Sequence, residues 1–322
     1  MRRRAAAWAL LPVSLAYGGL VALHHALYAS GLKKRYRARV PVVVIGNVVA
    51  GGAGKTPVVL ETVEHLRGRG LSVGVVSRGY GRSDGGCHEV RPDDDPARTG
   101  DEPLLLRRRS GVPVFVAARR AEAAEALLQA YPRTHVIVSD DGLQHHALAR
   151  DIEVCVFDAR GVGNGFLLPA GPLREPWPRP VDFVLTHGGF RGVPGHAMQR
   201  TLAAFAQRAD GTKRLLVEFR GTPFHALAGI ARPDTFFTML REAGLEPAVT
   251  HALPDHHGFA DADRLPRDAV LLCTEKDAVK LWRLRPDAWA VPLQLAIPDS
   301  FWRPFDRLLD ARLSSPHGSP PP

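Results

Sequence analysis

One short stretch constrains this chain more than any other. A β-branched run, Val42-Val43-Val44-Ile45, leads into Gly46-Asn47-Val48-Val49-Ala50-Gly51-Gly52-Ala53-Gly54-Lys55-Thr56, and a helical pattern follows to about Arg69. An apolar run without polar alternation suits a strand buried on both faces, as in a parallel sheet. Strand, glycine loop, Gly-Lys-Thr and helix in that order make the context of a phosphate-binding loop. The glycines let backbone N–H groups converge on phosphate oxygens, the helix N-terminus adds its positive dipole, and Lys55 reaches the β- and γ-phosphates. Gly51, Gly52, Ala53, Gly54, Lys55 and Thr56 are therefore the expected nucleotide site, with Thr56 on Mg²⁺. The spacing is a variant, since the first glycine of G-x-x-x-x-G-K-T would fall at Val49. A plainer reading, a glycine-rich turn with a surface lysine, is weakened by lysine usage: only six of the 42 basic residues are lysine, and one stands where the motif needs it.

A second apolar strand, Val136-Ile137-Val138, runs into Ser139-Asp140-Asp141, the form of a Walker B segment, which delivers acid to a metal at a strand end. Paired aspartates there can also cap the next helix. Gln144, His145 and His146 follow in a loop placed to line the same crevice. Thr99-Gly100-Asp101-Glu102-Pro103 sets two acids before an apolar helical stretch, as dipole partners or as a base and a metal ligand. Asp255-His256-His257 reads as a solvated loop pair or as an acid–histidine base. Ser77-Arg78-Gly79-Tyr80-Gly81-Arg82 is a cationic loop, either a turn or a grip on an anion. Thr274-Glu275-Lys276-Asp277 is no guanine-reading N-K-x-D, because the lysine and aspartate are adjacent.

The net charge of +9 is concentrated at one end. Residues 1–39 hold Arg2, Arg3, Arg4, Lys33, Lys34, Arg35, Arg37 and Arg39 and no acid, so the rest of the chain is close to neutral. A nucleic-acid binder should spread its basic residues over the folded surface, which speaks against that partner. Between the basic clusters, residues 5–32 are apolar and long enough to span a bilayer. No small-x-small site marks cleavage of a signal peptide. At 100° per residue, Ser14, Tyr17, Gly18, His24, His25 and Tyr28 share one arc while Leu15, Leu20, Leu23 and Leu27 lie outside it, favouring a helix on an anionic membrane surface over a span or a buried helix. Pro12 marks an early break or a first turn. Cys87, Cys155 and Cys273 have neither disulfide nor zinc spacing, as expected in a reducing compartment.

Taken in order, these segments resemble the tetraacyldisaccharide 4′-kinase family. The resemblance also covers Leu168-Pro169-Ala170-Gly171-Pro172-Leu173-Arg174-Glu175-Pro176 and Thr274-Glu275-Lys276-Asp277-Ala278-Val279-Lys280. It implies an ATP- and Mg²⁺-dependent kinase at the cytoplasmic face of the inner membrane, acting on an acylated glucosamine disaccharide 1-phosphate, with no obligate protein partner. It further implies Asp101 as base with His256 in support and Lys55 in catalysis. Thr56, Asp140, Asp141, Glu102 and Gln144 become candidates for the metal shell, and Arg78, Arg120 and Arg174 for phosphate contacts. Ala117-Ala118-Arg119-Arg120 departs from the family's glycine-containing stretch, which leaves Arg119 or Arg120 in that role.

The expected fold is α/β: a P-loop NTPase-like parallel sheet flanked by helices, a smaller C-terminal α/β domain and an N-terminal membrane-surface helix. Residues 1–39 form that helix with its basic flanks, 40–205 the kinase core, 206–313 the smaller domain and 314–322 a disordered tail. The rivals are a membrane-associated P-loop GTPase and a nucleotide-binding regulator without transfer chemistry.

Overall fold

The computed structural model describes residues 5–188, 193–259 and 268–315. Arg2, Arg3 and Arg4 and residues 316–322 of the expected tail lie outside these residues, whereas Ser314, expected in that tail, is the last residue of helix Asp299–Ser314. In strand Val42–Gly46 every residue is buried. Val43 and Ile45 join one apolar core and Val42 and Val44 another, because successive side chains leave opposite faces of a strand. The first core is closed by helices Lys55–Gly68, Asp101–Ser110 and Asp299–Ser314, through Val59, Leu66, Leu104, Phe301 and Phe305. The second is closed by helix Arg120–Ala130 and by Leu143, Leu148 and Leu173 from loops.

The sheet so covered has nine strands among the described residues, in the order Leu293–Ala296, His196–Leu202, Phe183–His187, Ile152–Phe157, Val42–Gly46, Val136–Asp140, Val73–Ser77, Val114–Val116 and His88–Glu89. Its interior pairings are parallel, and both edge pairings are antiparallel. This is the expected α/β architecture.

A six-stranded sheet built from Phe205–Gln207, Lys213–Leu215, Phe224–Ala228, Val249–Ala252, Val270–Thr274 and Trp289–Val291 stands beside it. Helix Pro233–Glu242 covers one face with Phe236, Phe237 and Leu240, and helix Glu275–Leu281 covers the other with Ala278 and Leu281. The chain enters this unit at Ala203 and leaves it at Pro292, and those two crossings are joined by the Ala203 N–H donating to the Pro292 carbonyl at 2.8 Å. Strand Leu293–Ala296 and helix Asp299–Ser314 then return to the large sheet, so residues 206–313 are shared between both sheets. Strand Lys213–Leu215 turns directly into a 3-10 helix over Leu216–Phe219.

At the N-terminus, helix Leu11–Ala29 follows a short helix Ala5–Ala9, with Pro12 in its first turn, where a missing N–H costs nothing. The polar arc faces the protein: Ser14 is buried, Tyr17 reaches the Arg174 carbonyl, and His25 meets His146 at 2.9 Å. Val13, Leu15, Leu20 and Leu23 point outward and are each more than half exposed. No helix among the described residues is long and apolar enough to cross a membrane.

The returning helix is a test of how far the C-terminus belongs to the large sheet. Phe305 is fully buried, its ring centroid 5.5 Å from Phe301 and 6.0 Å from Phe183. Phe305→Ala is expected to destabilise the fold by about 3–5 kcal/mol, read as a lowered denaturant midpoint at unchanged slope.

Candidate active site

Parallel pairing sets the site. Val42–Gly46 pairs with Val136–Asp140 so that Ile45 lies opposite Asp140, and with Ile152–Phe157 so that Gly46 lies opposite Cys155. All these strands end on one edge, where open α/β sheets bind ligands. The glycine loop, Asp141 and Asp158 therefore emerge side by side.

Gly54 ends the loop with φ +78° and caps helix Lys55–Gly68; a Cβ there would stand 2.7 Å from His187 Nε2, so only glycine fits. Lys55 Nζ donates to Asn47 Oδ1 at 3.3 Å and lies 3.5 Å from Asp141 Oδ1. Asp141 has φ +48°, and its two carboxylate oxygens each accept from Arg174 at 3.0 Å. Burial opposes ionisation of Asp141, but Lys55 and Arg174 outweigh it and hold the pKa below the ordinary value. Among the described residues, no cation is in such contact with the Asp140 carboxylate. Its Oδ2 accepts from Ser77 Oγ at 3.2 Å, and its Oδ1 is buried without a partner among the described residues. Burial, then Glu102 and Asp141, push its pKa up to about 7.

The facing wall comes from the smaller sheet. Helix Glu275–Leu281 lies along helix Asp101–Ser110 and meets it through charge. Lys280 Nζ donates to Asp101 Oδ2 at 2.9 Å, Lys276 Nζ is 3.2 Å from Glu102 and 3.1 Å from Asp255, and Arg109 holds both oxygens of Glu275 at 2.5 and 2.6 Å. His256, at φ +60°, sets Nδ1 3.1 Å from Asp101 Oδ2 and Nε2 3.4 Å from Lys276 Nζ. The bond to Asp101 raises the His256 pKa above its ordinary value. For Asp101, burial is outweighed by the bonds from His256 and Lys280, and the carboxyl is held well below the usual carboxylate range.

Between the walls lies a cleft of about 800 Å³ lined by residues 51–56, Arg78, Glu102, Asp140, Asp141, Arg174, His256 and Lys276. Its shape and chemistry suit a polyphosphate at the loop and an acceptor opposite it.

A family model described as tetraacyldisaccharide-1-P 4′-kinase matches residues 6–312. The chain belongs to that family. A tetraacyldisaccharide 4′-kinase of an Acidovorax species is 58% identical over 97% of this chain and 92% of its own length. That of Delftia acidovorans is 55% identical over 95% and 91%. Among solved structures, the apo-form LpxK of Aquifex aeolicus in complex with ATP is similar at a TM-score of 0.81 and 26% identity, covering 94% of this chain and 99% of that one. These relatives carry kinase names, which disfavours the GTPase and regulator readings.

Within this kinase family member, the structure sorts the sequence-derived residues. Lys55, Thr56, Asp140, Asp141, Glu102, His256, Arg78 and Arg174 share the cleft, while Asp101 stands just behind its wall in contact with His256. Gln144 and Arg120 line the same cleft and also brace its backbone. Gln144 donates to the Asn47 carbonyl at 2.9 Å and to Glu175 Oε1 at 2.6 Å, so its amide braces the loop. Arg120 is buried and donates to the carbonyls of Asp140 and Asp141 at 3.2 and 2.7 Å, whereas Arg119 faces outward onto Glu122. Sequence reasoning passed over Lys280 and Arg160. Lys276 and Lys280 stand four apart on one helix face, a signal that was available. Arg160, tied to Asp158 at 2.8 and 3.0 Å and to the Ala50 and Gly52 carbonyls at 3.3 and 3.2 Å, had no local signal.

Arg120→Met should expose this bracing. It strips two buried carbonyls of their donors at about 1–3 kcal/mol each, so the unfolding midpoint should drop. Full stability with only activity lost would mean that the guanidinium serves the substrate.

Proposed function

We propose that this chain transfers the γ-phosphate of ATP to the 4′-hydroxyl of a tetraacylated glucosamine disaccharide 1-phosphate, a step of lipid A biosynthesis. The observation that carries the reading is the convergence on one cleft of a phosphate loop, a pair of strand-end aspartates and an Asp101–His256 pair, in a member of this kinase family.

Residues 51–56 cradle the β- and γ-phosphates with their N–H groups, and Lys55 neutralises the charge that builds on the transferring group. The residues present fit Mg²⁺. Asp140 Oδ1 is buried and unpartnered among the described residues, and Glu102 and Asp141 crowd acid around it. Thr56, Asp140, Asp141 and Glu102 would hold the ion, a set of oxygen donors that suits Mg²⁺. When bound, Mg²⁺ neutralises phosphate charge and helps align the leaving group.

A sugar hydroxyl is a weak nucleophile. As its oxygen bonds to the γ-phosphorus and ADP departs, its proton passes to the Asp101–His256 pair, worth about 10²–10⁴-fold in rate. Lys280 keeps Asp101 ionised for this role, and Arg78 and Arg174 meet phosphate oxygens from the cleft wall. The acyl chains stay in the bilayer. Helix Leu11–Ala29 lies on the anionic cytoplasmic face of the inner membrane with Leu15, Leu20 and Leu23 inward, flanked by Lys33, Lys34 and Arg35.

Purified protein with labelled ATP, Mg²⁺ and the disaccharide 1-phosphate lipid is expected to yield a doubly phosphorylated product; none from folded, ATP-bound protein would overturn the reading. Asp101→Asn should bind ATP as the parent does and lose about 10²–10⁴-fold in transfer rate. A Leu15→Glu, Leu20→Glu double variant should fall off anionic vesicles in flotation, while unchanged flotation would remove the helix from the membrane contact.

A further inference from the structure

Segment 166–175 is the common neighbour of the N-terminal helix and the phosphate loop. On the helix side, Ser14 Oγ donates to the Leu167 carbonyl at 2.8 Å and accepts from the Ala170 N–H at 2.9 Å. Gly18 lets the helix approach closely, since a Cβ there would lie 2.9 Å from Leu167 Cδ1. On the loop side, the Ala50 N–H donates to the Pro172 carbonyl and the Arg174 N–H to the Val48 carbonyl, each at 2.7 Å, and Val49 pairs antiparallel with Leu173.

Arg174 is held from three directions. Its carbonyl accepts from the Tyr17 hydroxyl at 2.7 Å, its N–H is on Val48, and its guanidinium is on Asp141, which stands 3.5 Å from Lys55 Nζ. Tyr17 also lines the cleft. A glycine-rich loop has little internal structure to hold a phosphate-ready shape, and any ordering left until binding is subtracted from affinity. Beside Arg160 and Gln144, part of the ordering is supplied by a segment clamped between loop and helix.

We infer that helix Leu11–Ala29 is part of the nucleotide site as well as an anchor, with Tyr17 and Ser14 as positioning residues that act on the loop through segment 166–175. This rests on the reading of residues 51–56 as the nucleotide site. The same clamp makes the helix's seating and nucleotide binding mutually favourable, since coupling between two binding events is reciprocal.

The test measures ATP–Mg²⁺ binding to the full chain in detergent, beside steady-state kinetics, for Tyr17→Phe, Ser14→Ala and Lys55→Met. Tyr17→Phe and Ser14→Ala are each expected to weaken ATP binding roughly two- to tenfold, the weight of one hydrogen bond. The KM for ATP should rise by that factor, while kcat at saturating ATP and the KM for lipid acceptor move less. Unchanged ATP affinity in both folded variants, with Lys55→Met losing it, would overturn the inference and leave the nucleotide site standing. An equal loss in ATP and acceptor affinity would likewise overturn it, as general loosening. Lys55→Met binding ATP like the parent would instead sink the underlying reading.

Discussion

The register between strands Val42–Gly46 and Val136–Asp140 is the constraint on which the site depends. With Ile45 opposite Asp140, the glycine loop and the acids leave the sheet at the same edge, and Lys55 comes within 3.5 Å of Asp141. A shift of one residue would turn Val43 and Ile45 away from the core they fill and carry Asp140 to the other face. Hydrophobic burial on both sides of a parallel sheet thus fixes the spacing of charges that no local interaction could hold. Asp140 shows the consequence: at this strand end it is buried with an oxygen that has no partner among the described residues.

The smaller sheet supplies the counter-charges. Lys276, Lys280 and His256 all come from it, and all reach acids at the start of helix Asp101–Ser110. Buried pairs of this kind add little net stability, since desolvation offsets attraction, but losing one partner is costly. Their worth here lies in geometry: Asp101 meets His256 and Lys280 only when both sheets are in contact. The paired crossings at Ala203 and Pro292 hold the units side by side at that contact.

Much of this was legible in the chain. The strand–loop–helix around Lys55, the acids after Val138 and the two-faced helix over 11–29 follow from patterns that act over a few residues, and the structure places them as such. Less legible were the fates of Gln144 and Arg120. Both stand in polar stretches near the acids, yet their side chains satisfy backbone carbonyls of the loop and strand ends. A buried carbonyl needs a donor wherever the fold leaves it, and that need is invisible until the fold is known. The boundary drawn at 206–313 met a similar difficulty: Leu293–Ala296 reads as one more strand, and only pairing decides which sheet it joins.

The chain by itself determined its sheet-forming segments, its glycine loop, its family and the amphipathic start, because each is written in local spacing of apolar, glycine and charged residues. Tertiary structure alone decided that Asp101 meets His256 and Lys280 across more than 150 positions, and that Tyr17 reaches Arg174. Long-range pairing is set by which apolar faces can be buried together, a property of the whole assembly of strands and helices.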